Sequence, residues 1–471
     1  MEFYSKRLFL DQFTPVTIYE KIKEIFPNEI TFLFESVLNN NDGNFSYILI
    51  GDRERVIHKD NQSIYIDEDK VQHTISSNPF DFLQDYYKKL DKQIYKDKAT
   101  ELNLGFVDGF IGNIGYDMVQ EFEPKLKDSM QNLKDDFNIA DFDLIRPKLI
   151  LGYSHKNSNL TIVTSLKSYE EYIDIIENSI KKGSKYTPLK KAILTEEGYF
   201  EHSKEKFFDM VKKSKQMIRS GDVFQILMTN RYTQKAIVDH FSFYRALRSK
   251  NPSPYLFLLE YEDFSIAGSS PEVMVRLTDG KILLRPIAGT RKRGKTAQKD
   301  LEMQIELQND PKEVAEHIML IDLGRNDVGR VAKSGTVEVT DKMRVEKYSH
   351  VMHLVSDVEA TLDDSYDMFD LFRSTFTAGT MTGAPKIRAM ELIAQYEGLK
   401  RSFYSGSIAC FGFDGNMDSA ITIRTSLLTK DKIIFQAGAG IVADSIDELE
   451  FLEVTNKLKA NIETLKDLSK I

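Results

Sequence analysis

Apolar residues return at helical spacing along some stretches of the chain and gather in short β-branched or aromatic blocks along others. Between residues 203 and 219, Phe207, Val211, Met217 and Ile218 stand among many lysines, which predicts an amphipathic helix stopped by Gly221. The blocks Ser46 to Ile50 and Leu149 to Tyr153 predict strands. In the second half, strands are expected at Phe224 to Met228, Ile282 to Leu284 and Ile433 to Phe435, the last running into Gly438-Ala439-Gly440. Helices are expected at Lys312 to Leu323 and at Pro385 to Tyr396, the latter with proline in its first turn. A last helix begins near Ser445, where Ser445 and Glu448 have the spacing of a capping box. The polar stretch Lys181-Lys182-Gly183-Ser184-Lys185 marks the best boundary, dividing a region 1–190 from a region 191–471. No internal repeat is visible.

Composition narrows the class. A chain of 471 residues with 41% hydrophobic residues can bury one large or two medium cores. No long single-sign charge run or sustained heptad suggests disorder or coiled coil. A net charge of −9 disfavours a nucleic-acid binder, although cations concentrated between Arg285 and Arg293 suit a local anion. The single cysteine, Cys410, stands in the apolar run Ile408-Ala409-Cys410-Phe411 and reads as a buried inert thiol. With no intrachain disulfide, no signal-peptide core and no membrane-length apolar run, a cytoplasmic protein without a membrane span is expected.

Two carboxylate pairs carry candidate chemistry. Glu313 and Glu316, and likewise Glu450 and Glu453, are spaced to share one helical face. Two such faces opposed would offer oxygen ligands to a hard cation such as Mg²⁺. A solvated face with a Glu453–Lys457 bridge explains the same spacing. The loop Phe376 to Lys386 brings small residues and hydroxyls to a helix N-terminus, which suits an anion. Its glycine spacing is not that of a P-loop.

Five ordered strings make the reading specific. They are Arg285-Pro286-Ile287-Ala288-Gly289-Thr290-Arg291, Glu316-His317, Asp322-Leu323-Gly324-Arg325-Asn326-Asp327, Gly383-Ala384-Pro385-Lys386 and Ala437-Gly438-Ala439-Gly440-Ile441. In this order the chain resembles the chorismate-utilising enzymes over about residues 200–460, and more loosely at Leu33-Phe34-Glu35-Ser36. The resemblance implies an α+β fold with packed central β-sheets flanked by helices. It implies that Glu316 and Glu453 hold Mg²⁺, with Glu313 and Glu450 beside them, and that the metal grips the ring carboxylate of chorismate. Gly289, Thr290, Tyr404, Arg424, Gly438, Ala439, Gly440 and Lys457 would hold the substrate's carboxylates, a dianion needing cations and amide donors. Glu272 matches the family's general acid for the leaving hydroxyl, and His353 and Thr380 match positions near the elimination step. His317 more readily packs or supports the glutamates.

Two positions separate the family's branches. Members that add water carry a lysine base where this chain has Gln225, and a neutral amide cannot serve as that base. Members that form a covalent adduct carry a lysine where this chain has Ala288. The resemblance therefore implies attack of ammonia at ring C2, loss of the C4 hydroxyl, and pyruvate elimination to give anthranilate, the first step of tryptophan biosynthesis. The alternatives are an aminodeoxyisochorismate synthase, which stops before pyruvate loss, or an aminodeoxychorismate synthase component. A catalytically dead binding subunit and an unrelated Mg²⁺ hydrolase stand further off.

Glu35 and Ser36, with Pro254, Tyr255 and Leu256, resemble the two halves of the family's tryptophan feedback site. Leu256 replaces a frequent methionine there, and Phe34 a frequent leucine. A glutamine amidotransferase subunit is the expected partner and ammonia source.

Overall fold

The computed structural model describes residues 2–35, 45–348 and 351–471. The chain is α+β, built on a 13-stranded and a 12-stranded sheet of antiparallel neighbours. Each sheet draws strands from both sides of residue 190. In the first, Thr31–Glu35 pairs with Tyr255–Glu260, setting Glu35 opposite Leu256. In the second, Gly109–Ile114 pairs with Ser407–Gly412.

Strand alternation explains the layering. Along the first sheet, Phe32, Leu49, Phe257 and Leu259 point to one face, where they join Phe110, Phe142, Val275 and Met417 of the second sheet in one core. Their neighbours Leu33, Ile48, Ile50 and Leu258 point the other way and pack beneath helices with Tyr19, Phe207, Phe243 and Tyr244. Burying an aromatic or aliphatic side chain of this size stabilises the fold by roughly 1.5–3 kcal/mol. Both sheets thus fix the strand ends that carry the polar residues described below.

The amphipathic helix forms at Lys204–Ser220, with Ser203 capping its start and Gly221 left-handed at its end. Four expectations change in detail. The strand expected at Phe224 begins at Gln225 and continues to Ile237, leaving Phe224 72% exposed. The small residues Ala437 to Gly440 lie inside the strand Lys432–Ile441 rather than after it, because their lack of bulk lets Gln225–Ile237 pair closely alongside. Pro385 is the N-cap of Lys386–Glu397, not a residue of its first turn. The capping box at Ser445 does not form. The final helix is Asp447–Leu468, Ile446 is its uncapped N-cap, and the Ser445 hydroxyl instead accepts the Val442 amide at 3.1 Å. Among the described residues no helix is long and apolar enough to cross a membrane.

Candidate functional site

The helix Pro311–Gly329 starts at Asp310, whose carboxylate accepts the Lys312 and Glu313 amides. That cap sets Glu313 and Glu316 on the helix's first turns. Glu316 is half-buried, and burial raises its carboxyl above the ordinary range, with Glu313 and Glu453 pushing the same way. Gln225 opposes this by donating Nε2–H to Glu316 Oε1 at 3.3 Å. Glu450 is also raised by burial, with Glu453 adding to the effect. Glu453 of the second pair is thus near enough to Glu316 for their charges to repel.

Among the described residues Glu316 has no cationic partner, whereas Glu313 pairs with Arg291 at 3.1 Å and Glu453 with Lys457 at 2.7 Å. Among the described residues, too, no three histidine, cysteine or acidic side chains are gathered tightly enough to hold a metal ion. In donor chemistry and mutual repulsion, the glutamates suit a hard divalent cation.

Glu272 is buried, and burial pushes its carboxyl up to about 7 against the opposing effects of Thr380 and Lys457. The Thr380 hydroxyl donates to Glu272 Oε1 at 2.9 Å. Glu272 and Thr380 border one small cavity of about 30 Å³.

A cationic and amide-rich wall stands nearby. His353 Nδ1 lies 2.8 Å from the Gly289 carbonyl and 3.2 Å from Thr290 Oγ1. Since a carbonyl only accepts, Nδ1 carries the proton and Nε2 keeps its lone pair. Burial lowers the imidazole's pKa, and Arg424 and Lys457 lower it further. Arg424 sits in a left-handed turn at φ 52°. Burial pulls its guanidinium below the usual range, while Tyr404 and Glu453 oppose this. No described carboxylate forms an ion pair with it. The buried Tyr404 hydroxyl meets the backbone of Gly438. Lys457 Nζ donates to the Gly438 carbonyl at 2.8 Å, and its charge acts on Glu272, Glu450 and His353 alike.

Gln225 closes the wall from the opposite strand. A Cβ at Gly440 would stand 2.6 Å from Gln225 Nε2, so the glycine lets the amide occupy its present position. Ala439 lies between Gly438 and Gly440 and is fully buried. Gln225 Oε1 is buried without a hydrogen-bond partner. An orphaned acceptor of this kind is costly unless a ligand or water meets it.

A second cavity, of about 550 Å³, lies where Glu35, Pro254, Tyr255 and Leu256 meet. Glu35 is buried and accepts from Tyr244 at 2.6 Å and from Arg248 at 3.0 Å. Tyr255 donates to Asp418 at 3.0 Å and accepts from Arg276 at 2.9 Å. Ser36 lies outside the described residues. Cys410 also borders this cavity and is half-buried rather than enclosed in the core. Burial still drives its thiol well above the usual range.

Sequence reading missed Tyr244, Arg248 and Asp418, because no local pattern marks partners so distant along the chain. His317 is fully buried and meets Ser356 Oγ at 2.8 Å; burial lowers its pKa to about 4.

The chain is similar to known proteins over most of its length. A family model described as chorismate binding enzyme matches residues 31–463. The chain is 37% identical over 473 residues to anthranilate synthase component 1 of Aquifex aeolicus, covering 98% of this chain and 93% of that one. It is 36% identical over 469 residues to the component 1 of Thermus thermophilus, covering 98% and 97%. The crystal structure of anthranilate synthase component I from Streptococcus pneumoniae TIGR4 is similar at a TM-score of 0.77 and 29% identity, over 97% of this chain and 99% of that one.

Proposed function

The chain belongs to the chorismate-binding enzymes, matching anthranilate synthase component 1 proteins over nearly its whole length, and from that premise we propose how its residues make anthranilate. The substrates are chorismate and ammonia, and the products are anthranilate, pyruvate and water.

Arg424, Lys457, Tyr404, Thr290, Gly289 and the backbone from Gly438 to Gly440 bind the two carboxylates of chorismate. The desolvated, unpaired Arg424 favours an anion strongly. Glu316 and Glu453 would hold Mg²⁺, with Glu313 and Glu450 beside them. The ion would supply positive charge to the ring carboxylate.

Ammonia attacks ring C2 with its lone pair, the ring double bonds shift, the C4–O bond breaks, and the ammonium formed at C2 releases one proton to solvent, from which Glu272 is later reprotonated. Because Thr380 donates to Oε1, the proton of Glu272 sits on Oε2, from which it passes to the departing oxygen to form water. With its carboxyl near 7, about half of the Glu272 side chains hold that proton at pH 7. In the second step, the bare Nε2 of His353 takes the proton from C2. The C3–O bond breaks, enolpyruvate leaves and is protonated to pyruvate, and the ring becomes aromatic.

The observation that carries the amine-forming reading is Gln225. Its neutral amide faces the site with an unpartnered Oε1, at the position where water-adding relatives need a base. Ala288 is a buried methyl where a covalent branch needs an amine. The component 1 names of the relatives imply a partner component, and its release of ammonia from glutamine belongs to the same proposal.

The test is incubation of the purified chain with chorismate, Mg²⁺ and an ammonium salt at alkaline pH, with product identification. Anthranilate and pyruvate in equal amounts are expected. Isochorismate, 4-amino-4-deoxychorismate, or an aminated product retaining its enolpyruvyl group would overturn it.

A further inference from the structure

Asp327 and Lys386 close two of the family's ordered strings yet belong to neither the substrate wall nor the glutamate cluster. The structure joins them to each other. Lys386 Nζ lies 2.5 Å from Asp327 Oδ2, with Asp327 buried and the Lys386 side chain 12% exposed. The same Nζ reaches the Thr375 carbonyl at 3.4 Å. This lysine is therefore committed to a carboxylate.

We propose that the Lys386–Asp327 ion pair is a positioning clamp that holds the Thr380 hydroxyl on Glu272. The proposal rests on Glu272 being the acid of the reaction described above. Thr375 ends the helix Met368–Thr375, and Lys386 begins the helix Lys386–Glu397. Gripping Thr375 with Lys386 closes the intervening loop at its base, and Thr380 is at its middle. Asp327 ties that base to the helix Pro311–Gly329. It lies three turns beyond Glu316 on the same face. The middle of the loop also passes close to that helix: a Cβ on Gly379 would come within 2.1 Å of Leu323 Cδ2. Asp327, Thr375, Thr380 and Glu272 border the same small cavity. The glutamate helix and the acid's hydrogen-bond partner are thereby set in one frame.

The energetics suit a positioning role. Burial raises the Asp327 carboxyl and Lys386 opposes it, so much of the pair's attraction offsets desolvation. A buried pair of this kind adds little stability over an apolar replacement, but it fixes geometry.

The test is a double-mutant cycle on kcat. Lys386→Met should lower kcat about tenfold while changing KM for chorismate less than about threefold, and Lys386→Arg should retain most of the rate. In a Thr380→Val background, Lys386→Met should cost less than about twofold, because two changes acting through one hydrogen bond do not multiply. Equal losses in both backgrounds, or an unchanged kcat, would overturn the clamp. If Lys386→Met does not fold, the neutral pair Asp327→Asn/Lys386→Gln enters the same cycle. A crystal structure of the folding variant gives a readout independent of turnover. The Thr380–Glu272 hydrogen bond should be broken there. Its retention rejects the clamp, whereas a wild-type chain inactive on chorismate rejects the functional reading instead.

Discussion

Thr380 Oγ1 lies 2.9 Å from Glu272 Oε1 and donates its hydrogen to it. The contact joins a loop between two helices to the start of a strand, across more than a hundred residues of sequence. It leaves Oε2 as the atom that holds a proton, in a site dry enough to raise the carboxyl to about 7. A buried acid costs stability when ionised, and that cost buys a proton available at neutral pH.

Glu272→Gln should therefore lose activity and gain stability. The expected fall in kcat is about a hundredfold or more, since the amide has no proton to give. The wild-type carboxyl ionises at about 4.5 when unfolded but near 7 when folded, so wild-type stability falls as pH rises through that window. Above it, the Gln variant should be more stable by about 3 kcal/mol, shrinking to near zero at the acidic end. Denaturant titrations of both proteins across this window measure it. Parallel pH dependences would mean that Glu272 is not raised.

The match between sequence and structure depends on how local each signal is. The helix at Lys204–Ser220 was legible because Ser203, the apolar spacing and Gly221 all lie within one segment. The capping box at Ser445 failed because a serine–glutamate spacing does not say where the hydroxyl points; here it turns back to Val442. Glu313 and Glu316 could be placed on one helical face from spacing alone. Their relation to Glu453 could not, since it depends on two helices brought together by separate strands. The pairing of Glu35 with Tyr244 and Arg248 left no mark in the sequence either. The ordered strings named candidate members of the site, and tertiary contacts alone assigned their partners.

Metal removal should abolish turnover. EDTA is expected to stop anthranilate formation and Mg²⁺ to restore it. Glu316→Gln and Glu453→Gln should each lower kcat/KM at least about tenfold and raise the Mg²⁺ concentration required, since each removes a charged oxygen ligand. Glu316 should matter more: it is half-buried without a cationic partner among the described residues, whereas Glu453 is exposed and already paired with Lys457. Full activity of both variants in EDTA would refute the cation site.

L-tryptophan should inhibit by entering the 550 Å³ cavity beside Glu35 and Tyr255. The cavity offers apolar surface from Leu256 and Phe34, together with charged groups for the amino-acid end. Tyr255→Ala and Ser36→Ala should raise the inhibitory concentration about tenfold or more while leaving uninhibited turnover nearly intact. Tryptophan should also raise the melting temperature of the wild type but not of Tyr255→Ala, because only a ligand that binds the folded state stabilises it. Undiminished inhibition in both variants would locate the effector elsewhere.

The chain should not use glutamine unaided. Releasing ammonia from glutamine by covalent catalysis requires a thiolate, usually formed beside a histidine or at a positive site. Cys410 is the only cysteine, and its surroundings work in the opposite direction. Burial drives the thiol well above its ordinary pKa, and Asp418 and Asp414 add negative charge that pushes it higher. It also borders the cavity at Tyr255, away from the Glu272–Thr380 contact. A thiol so disfavoured as thiolate is a poor nucleophile, so ammonia must come from solution or from another polypeptide. With chorismate, Mg²⁺ and glutamine, the purified chain should form no anthranilate. Ammonium should restore product without a partner, and an amidotransferase component should restore it with glutamine. Cys410→Ser should leave both activities unchanged. Glutamine-driven anthranilate formation by the chain alone, lost in Cys410→Ser, would show that the cysteine is catalytic and the partner dispensable.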